Sequence, residues 1–97
     1  MNTMQQIKGK PAAGDVLDNG STVLDSTITS SEVSVNGVDY YGFVLALNHK
    51  NEFVTWRLHV YPGGNVTSTN AGHYFDALGP AMGDYELRIA AATTRGL

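Results

Sequence analysis

From Phe53 to Tyr61 apolar and polar residues alternate, so that in an extended chain Val54, Trp56, Leu58 and Val60 fall on one side and Thr55, Arg57, His59 and Tyr61 on the other. That period of two predicts a strand with one dry and one wet face. A turn at Pro62-Gly63-Gly64-Asn65 and a return run from Val66 to Gly72 make it a hairpin. In that register Tyr61 opposes Val66, His59 opposes Ser68, Arg57 opposes Asn70 and Thr55 opposes Gly72.

Upstream, Val33-Ser34-Val35-Asn36-Gly37-Val38-Asp39-Tyr40 places Asn-Gly between alternating apolar residues, which calls for a two-residue type I′ turn. Val35 then opposes Val38, Val33 opposes Tyr40, Thr29 opposes Val44 and Ile28 opposes Leu45. Tyr41, Phe43, Leu45, Leu47 and Ile28 share one face; Val33, Val35, Val38, Tyr40 and Val44 share the other. A hairpin apolar on both faces is central in a sheet, with a helix on one side and a strand, a tail or a second copy of the chain on the other. A homodimer through the uncovered face is therefore expected. Gly14 to Gly20 reads as a short strand or turn closed by Asn19-Gly20 and followed by a strand-forming run from Ser21 to about Thr29. Asn48 to Asn51 is a polar connection of hairpin length. Residues 1–12 are polar and aperiodic and are expected to form a flexible tail before a single domain, residues 13–97.

Beyond Phe75 the period changes. Leu78, Met82, Tyr85, Ile89 and Ala92 recur at steps of three and four, the stripe of one amphipathic helix, with Asp84 and Arg88 one turn apart on an exposed side. Asp76 is one candidate cap; the other start places Pro80 first, after Gly79. Thr93-Thr94 and Arg95-Gly96 end the helix. The expected fold is α+β: an antiparallel β-meander of four or five strands, one C-terminal helix packed on one face, and the stripe over Trp56 and Leu58.

Composition narrows the function classes. Ninety-seven residues with a formal net charge of −3 and scattered basic residues lack the concentrated basic surface that neutralises phosphates, so no nucleic-acid partner is expected. The chain has no cysteine, which excludes disulfides, thiolate metal sites and cysteine nucleophiles. No signal-peptide core occurs near Met1, and the longest apolar run, Phe43 to Leu47, is too short to span a bilayer. No membrane association and a cytoplasmic location are expected.

The wet face of the Trp56 strand is where chemistry concentrates. Arg57 and His59 can donate to an anion and Tyr61 offers a stacking surface, with Asn70 opposite. His73 and Tyr74, crowded with Phe75 at the junction before the helix, are the other candidates for ligand or partner contact. His59, His73 and Asp76 supply zinc-ligand types, but the register sends the two histidines to opposite sides of the sheet, and a catalytic zinc needs three ligands in one pocket. Asp15, Asp18 and Gly20 do not have EF-hand spacing. No Gly-x-Ser-x-Gly elbow or phosphate loop occurs. No catalytic residue, metal or cofactor is assigned; an enzyme would have to be built on His73 or His59 with an acidic partner.

The succession Phe53-Val54-Thr55-Trp56-Arg57, Gly72-His73-Tyr74-Phe75-Asp76 and Asp84-Tyr85-Glu86-Leu87-Arg88 resembles a pattern in small uncharacterised single-domain proteins carried by bacteriophages and other mobile elements, particularly of actinobacteria. The resemblance covers the second half of the chain and supplies no functional residues. It implies an accessory or counter-defence factor working in the host cytoplasm. The first expectation is a non-enzymatic protein that binds a host protein. The alternative is a binder of a small anionic ligand that sequesters a nucleotide-type signal.

Overall fold

The computed structural model describes residues 10–64 and 67–94. Four strands, β1 (Thr22–Ser34), β2 (Gly37–Leu47), β3 (Phe53–Val60) and β4 (Thr67–Phe75), form one antiparallel sheet in the order β1-β2-β3-β4. One helix, α1 (Leu78–Thr94), packs on one face. This is the expected α+β meander. Residues 1–9 of the tail expected at 1–12, the positions Asn65 and Val66, and the helix-ending pair Arg95-Gly96 lie outside the described residues.

Turns follow local chemistry. Asn51 takes a left-handed φ of 62°, a conformation asparagine tolerates, while the Asn48 side chain accepts the N–H groups of Lys50 and Glu52, both at 2.9 Å. Between β1 and β2 the turn sits one residue earlier than the Asn-Gly signal predicts. Ser34 pairs with Gly37 and Val33 with Val38, so Val35 and Asn36 form the turn. The only positive φ there is 124° at Gly37, whereas a type I′ turn would need two. The Ser34 hydroxyl stabilises the alternative by accepting the Asn36 N–H at 3.2 Å.

Three one-residue register shifts then decide which side chains face where. In β1 they fall between Val23 and Asp25 and between Ile28 and Ser30. A bulge inserts an unpaired residue and reverses the alternation beyond it. Ile28 consequently pairs with Gly42 rather than Leu45 and lies on the face opposite Phe43 and Leu45, against expectation. In the β3/β4 pair the shift opposes Trp56 to Ala71 and Gly72, so Thr55 pairs with His73 and not with Gly72. The predicted pairs His59 with Ser68 and Arg57 with Asn70 are present; His73, Tyr74 and Phe75 are all reversed relative to prediction. Ala71 carries the bulge at φ 53°, where an L side chain is strained by about 1–2 kcal/mol. Ala71→Gly is expected to raise unfolding stability by up to about 1 kcal/mol, the strain relieved less glycine's entropy cost. Urea unfolding measures it, and a loss of stability would show that the bulge is not strained.

Both faces of the sheet are dry at the centre. On one, Val23, Val44, Ala46, Val54 and Trp56 close over Leu17, which the turn Leu17 to Gly20 presents from the segment before β1. Pro11 is buried and its carbonyl accepts the Ser26 hydroxyl, so that segment is tied down across the Trp56 face. On the other face Phe43, Leu45, Ala81, Tyr85 and Ala92 form the second cluster, with Phe53, Phe75 and Ile89 against it. The helix therefore covers the Phe43 face and not the Trp56 face. The reason is that Leu17 already occupies the Trp56 side, and the Ala71 bulge turns Phe75, the last residue before the helix link, toward the other. The premise for a homodimer, an uncovered apolar face, is corrected to the same extent.

Tyr85, Ile89 and Ala92 of the predicted stripe face the sheet, but its first two members do not. Ala81 and Ala92 are buried, while Leu78 and Met82 are 41% and 43% exposed. Alanine lets the helix axis approach the sheet, and Tyr85 anchors it through a 2.8 Å bond between its hydroxyl and that of Thr27. Ala77 rather than Asp76 takes the cap position, its carbonyl accepting the Ala81 N–H. Pro80 falls in the first turn, third rather than first, where its missing N–H costs no intrahelical bond. Among the described residues no helix is long and apolar enough to cross a membrane.

Candidate functional site

Asp84 and Arg88, expected on an exposed side of the helix, point at the sheet. The Thr55 side chain, fully buried on β3, donates its hydroxyl proton to Asp84 Oδ2 at 2.5 Å. Arg88 Nη1 donates to the Thr55 carbonyl at 3.1 Å and to Thr55 Oγ1 at 3.0 Å. His73 Nδ1 lies 3.1 and 3.0 Å from the two Asp84 oxygens. Partial burial alone would raise the Asp84 pKa; the hydrogen bonds from Thr55 and His73, with the charges of His73 and Arg88, outweigh it and hold the carboxyl below its ordinary value. The Arg88 guanidinium lies 5.2 Å from the centre of the Phe43 ring, within cation–π range.

Beside this network opens a groove of about 550 Å³ between the C-terminal half of α1 and the sheet. Its floor is Tyr41, Gly42, Phe43 and Arg57; one wall is the bulged part of β1 from Thr29 to Glu32; the other is Arg88, Ala91 and Ala92. The β1 bulge opens this wall, and Gly42 permits it: a Cβ there would stand 1.9 Å from the Thr27 carbonyl oxygen. Among the described residues the hydrogen bonds of Arg88 are the two from Nη1 to Thr55, which leaves its other N–H groups for the groove. Burial and then the Arg57 charge pull the Arg88 pKa below its ordinary value, against Asp84. Among the described residues the contacts within 4.0 Å between a basic nitrogen and a carboxylate join His59 to Asp39 and His73 to Asp84, leaving neither groove arginine with a carboxylate at that range.

Next to the groove three rings stack. His59 lies 4.6 Å from Tyr41 at an interplanar angle of 22° and 3.9 Å from Tyr61 at 35°, and its Nε2 is 2.8 Å from Asp39 Oδ1.

The six candidate residues therefore separate. Arg57 lies in the groove, His59 and Tyr61 beside it in the stack, and Asn70 opposite Arg57 on the edge strand. His73 is on the same face but engaged with Asp84. Tyr74 is on the opposite face, edge-on to Trp56 at 6.4 Å, bordering a second hollow of about 510 Å³ with Lys50 and Glu52. The expectation that His59 and His73 point to opposite sides is corrected by the Ala71 bulge, which gives them one face but different carboxylates. Among the described residues no three His, Asp or Glu side chains cluster as a metal site. Each histidine does have the acidic partner an enzyme reading would require, but among the described residues neither imidazole is hydrogen-bonded to a hydroxyl that it could activate. Sequence reasoning missed Arg88, Tyr41 and the β1 wall; the spacing of Ala81, Tyr85, Arg88 and Ala92, at steps of three and four, was the available signal for Arg88.

Comparison of the chain with protein-family models, with curated proteins and with solved structures finds no match.

Proposed function

We propose that this is a non-enzymatic binding protein whose groove holds a small anionic ligand between Arg57 and Arg88. One observation carries the reading: two guanidiniums from different elements line one groove, and among the described residues neither has a carboxylate partner within ion-pair distance. Arg88 is fixed by Thr55 and Phe43, which lowers the entropy cost of engaging a planar anionic group. Arg57 is exposed and free to close on it. Pyrophosphate at saturating concentration is expected to raise the melting temperature of the wild-type protein by several degrees, because a ligand bound only to the folded state stabilises it. Arg57→Ala should melt as the wild type does without ligand and lose that rise. An equal rise in both proteins, or none in either, contradicts the reading.

A second reading, binding to a host protein or to another copy of the chain, is favoured by the end of the β1–β2 hairpin. Val33 and Val35 there are 81% and 101% exposed, more than a solitary monomer needs to leave in water. The resemblance to phage-borne proteins agrees with a host partner. The double variant Val33→Ser, Val35→Ser is expected to keep its melting temperature and lose a partner recovered from host lysate, or lose dimer mass in light scattering. Unchanged association removes this reading.

A further inference from the structure

The groove is not a bare cationic pocket. Glu32 stands on its rim, and the C-terminal end of α1 adds a partial negative charge near Ala91 and Ala92. A small anion such as phosphate or pyrophosphate would engage the arginines at one end and leave the acidic end of the groove unmet. The observed arrangement suits a ligand with an anionic group at one end and N–H donors at the other.

The middle of the groove specifies what joins them. His59 covers one face of the Tyr41 ring, and Tyr41, unlike His59 and Tyr61, lines the groove. A planar ring entering there would extend the existing stack by one member. The spacing along β2 is regular: the Phe43 level, where Arg57 pairs and Arg88 rests on the ring, is two residues from Tyr41, and Tyr41 is two residues from Asp39, the partner of Glu32. Each step is about 7 Å, comparable with the reach of a ribose from its 5′-phosphate to its base.

Resting on the anion-binding reading above, we infer that the groove's ligand is a nucleotide whose base carries an exocyclic amine. Its phosphate sits between Arg57 and Arg88, its base lies against the open face of Tyr41, and its amine donates to the Glu32 carboxylate.

Isothermal titration of the wild-type protein with cytidine 5′-monophosphate, uridine 5′-monophosphate and ribose 5-phosphate tests each part. The cytidine nucleotide is expected to bind at least about tenfold more tightly than ribose 5-phosphate, within what stacking one base on an aromatic ring contributes. It should also bind more tightly than the uridine nucleotide, which has a carbonyl where cytidine has its amine. Tyr41→Leu should abolish the first ratio while ribose 5-phosphate binding persists, and Glu32→Gln should abolish the second. Equal affinity of all three ligands in the wild-type protein would overturn the nucleotide assignment and leave the anion site standing. No binding of the three ligands alongside a retained pyrophosphate response would overturn it as well. Failure of pyrophosphate too would bring down the anion reading itself.

Discussion

Replacing Gly42 with alanine is expected to cost about 3 kcal/mol or more, at or beyond the upper end of the usual range for overpacking. A Cβ at this position would stand 1.9 Å from the Thr27 carbonyl oxygen, 2.8 Å from its carbon and 2.9 Å from Ile28 Cα. All three are backbone atoms, so no rotamer change relieves the clash; β1 itself has to move. It would move at the start of the Thr29 bulge, where the ladder between Ile28 and Ser30 is already irregular. Domains are stable by only about 5–15 kcal/mol, so such a loss is a large part of the total. Because this backbone leads directly into the Thr29–Glu32 wall of the groove, the variant should lose pyrophosphate binding in whatever fraction stays folded. Urea unfolding with an unchanged slope and a shifted midpoint measures the cost. A change below about 1 kcal/mol would mean that the bulge adapts freely and does not set the groove's shape.

Asp84→Ala is expected to cost about 2 kcal/mol, the order of a charge-assisted hydrogen bond discounted for partial exposure. The substitution leaves the buried Thr55 hydroxyl without its acceptor, removes the partner of His73, and takes from Arg88 the nearby negative charge that offsets Arg57. Asp84→Asn separates charge from shape: it retains an acceptor for Thr55 and should recover part of the loss. The same carboxylate predicts a pH dependence. Its folded pKa lies below the unfolded value of 3.8, so the unfolded chain takes up the proton first as pH falls. The stabilisation is therefore complete above about pH 4 to 5 and disappears as pH drops through the folded pKa. Urea midpoints of the wild type and Asp84→Ala, compared from pH 3 to 7, should converge toward the acid end. A gap that stays constant over that range would show that the carboxylate charge is not what binds helix to sheet.

Much of the architecture was legible because it depends on short-range patterns. Alternation along Phe53 to Tyr61, the polar connection at Asn48 and the change of period after Phe75 each report on neighbours in the chain, and together they yield a meander and a helix. What was not legible is the facing of side chains, which one inserted residue reverses. Ala71 is not a glycine, so nothing in its type announced a left-handed bulge, yet it decides that His73 joins the Arg57 face and Tyr74 leaves it. At the β1–β2 turn the glycine signal was sound in kind, and the turn still formed one residue earlier because the Ser34 hydroxyl supports Val35 and Asn36 in place of a type I′ geometry.

The helix was misplaced for a related reason. Tyr85, Ile89 and Ala92 of the predicted stripe do make the contact, but near its start the helix uses Ala81, whose small side chain allows close approach, in place of the larger Leu78 and Met82. With the helix set on the sheet in this way, Asp84 reaches Thr55 and His73 and Arg88 becomes part of one wall of the groove, so charge that reads as solvent-facing lies at the site. Arg57 alone was visible in the β3 alternation. Its companion could be placed only when the helix orientation was known.

The central claim is that Arg57 and Arg88 act together on one anion. Its most direct measurement is an NMR titration of ¹⁵N-labelled protein with pyrophosphate, following the side-chain Nε–H signals of the two arginines. Both signals are predicted to shift along one saturable curve with a single dissociation constant, and Arg57→Ala should weaken the response at Arg88. Shifts centred on Lys50 at the second hollow with the two arginine signals unmoved, or no saturable shift at all, would contradict the account.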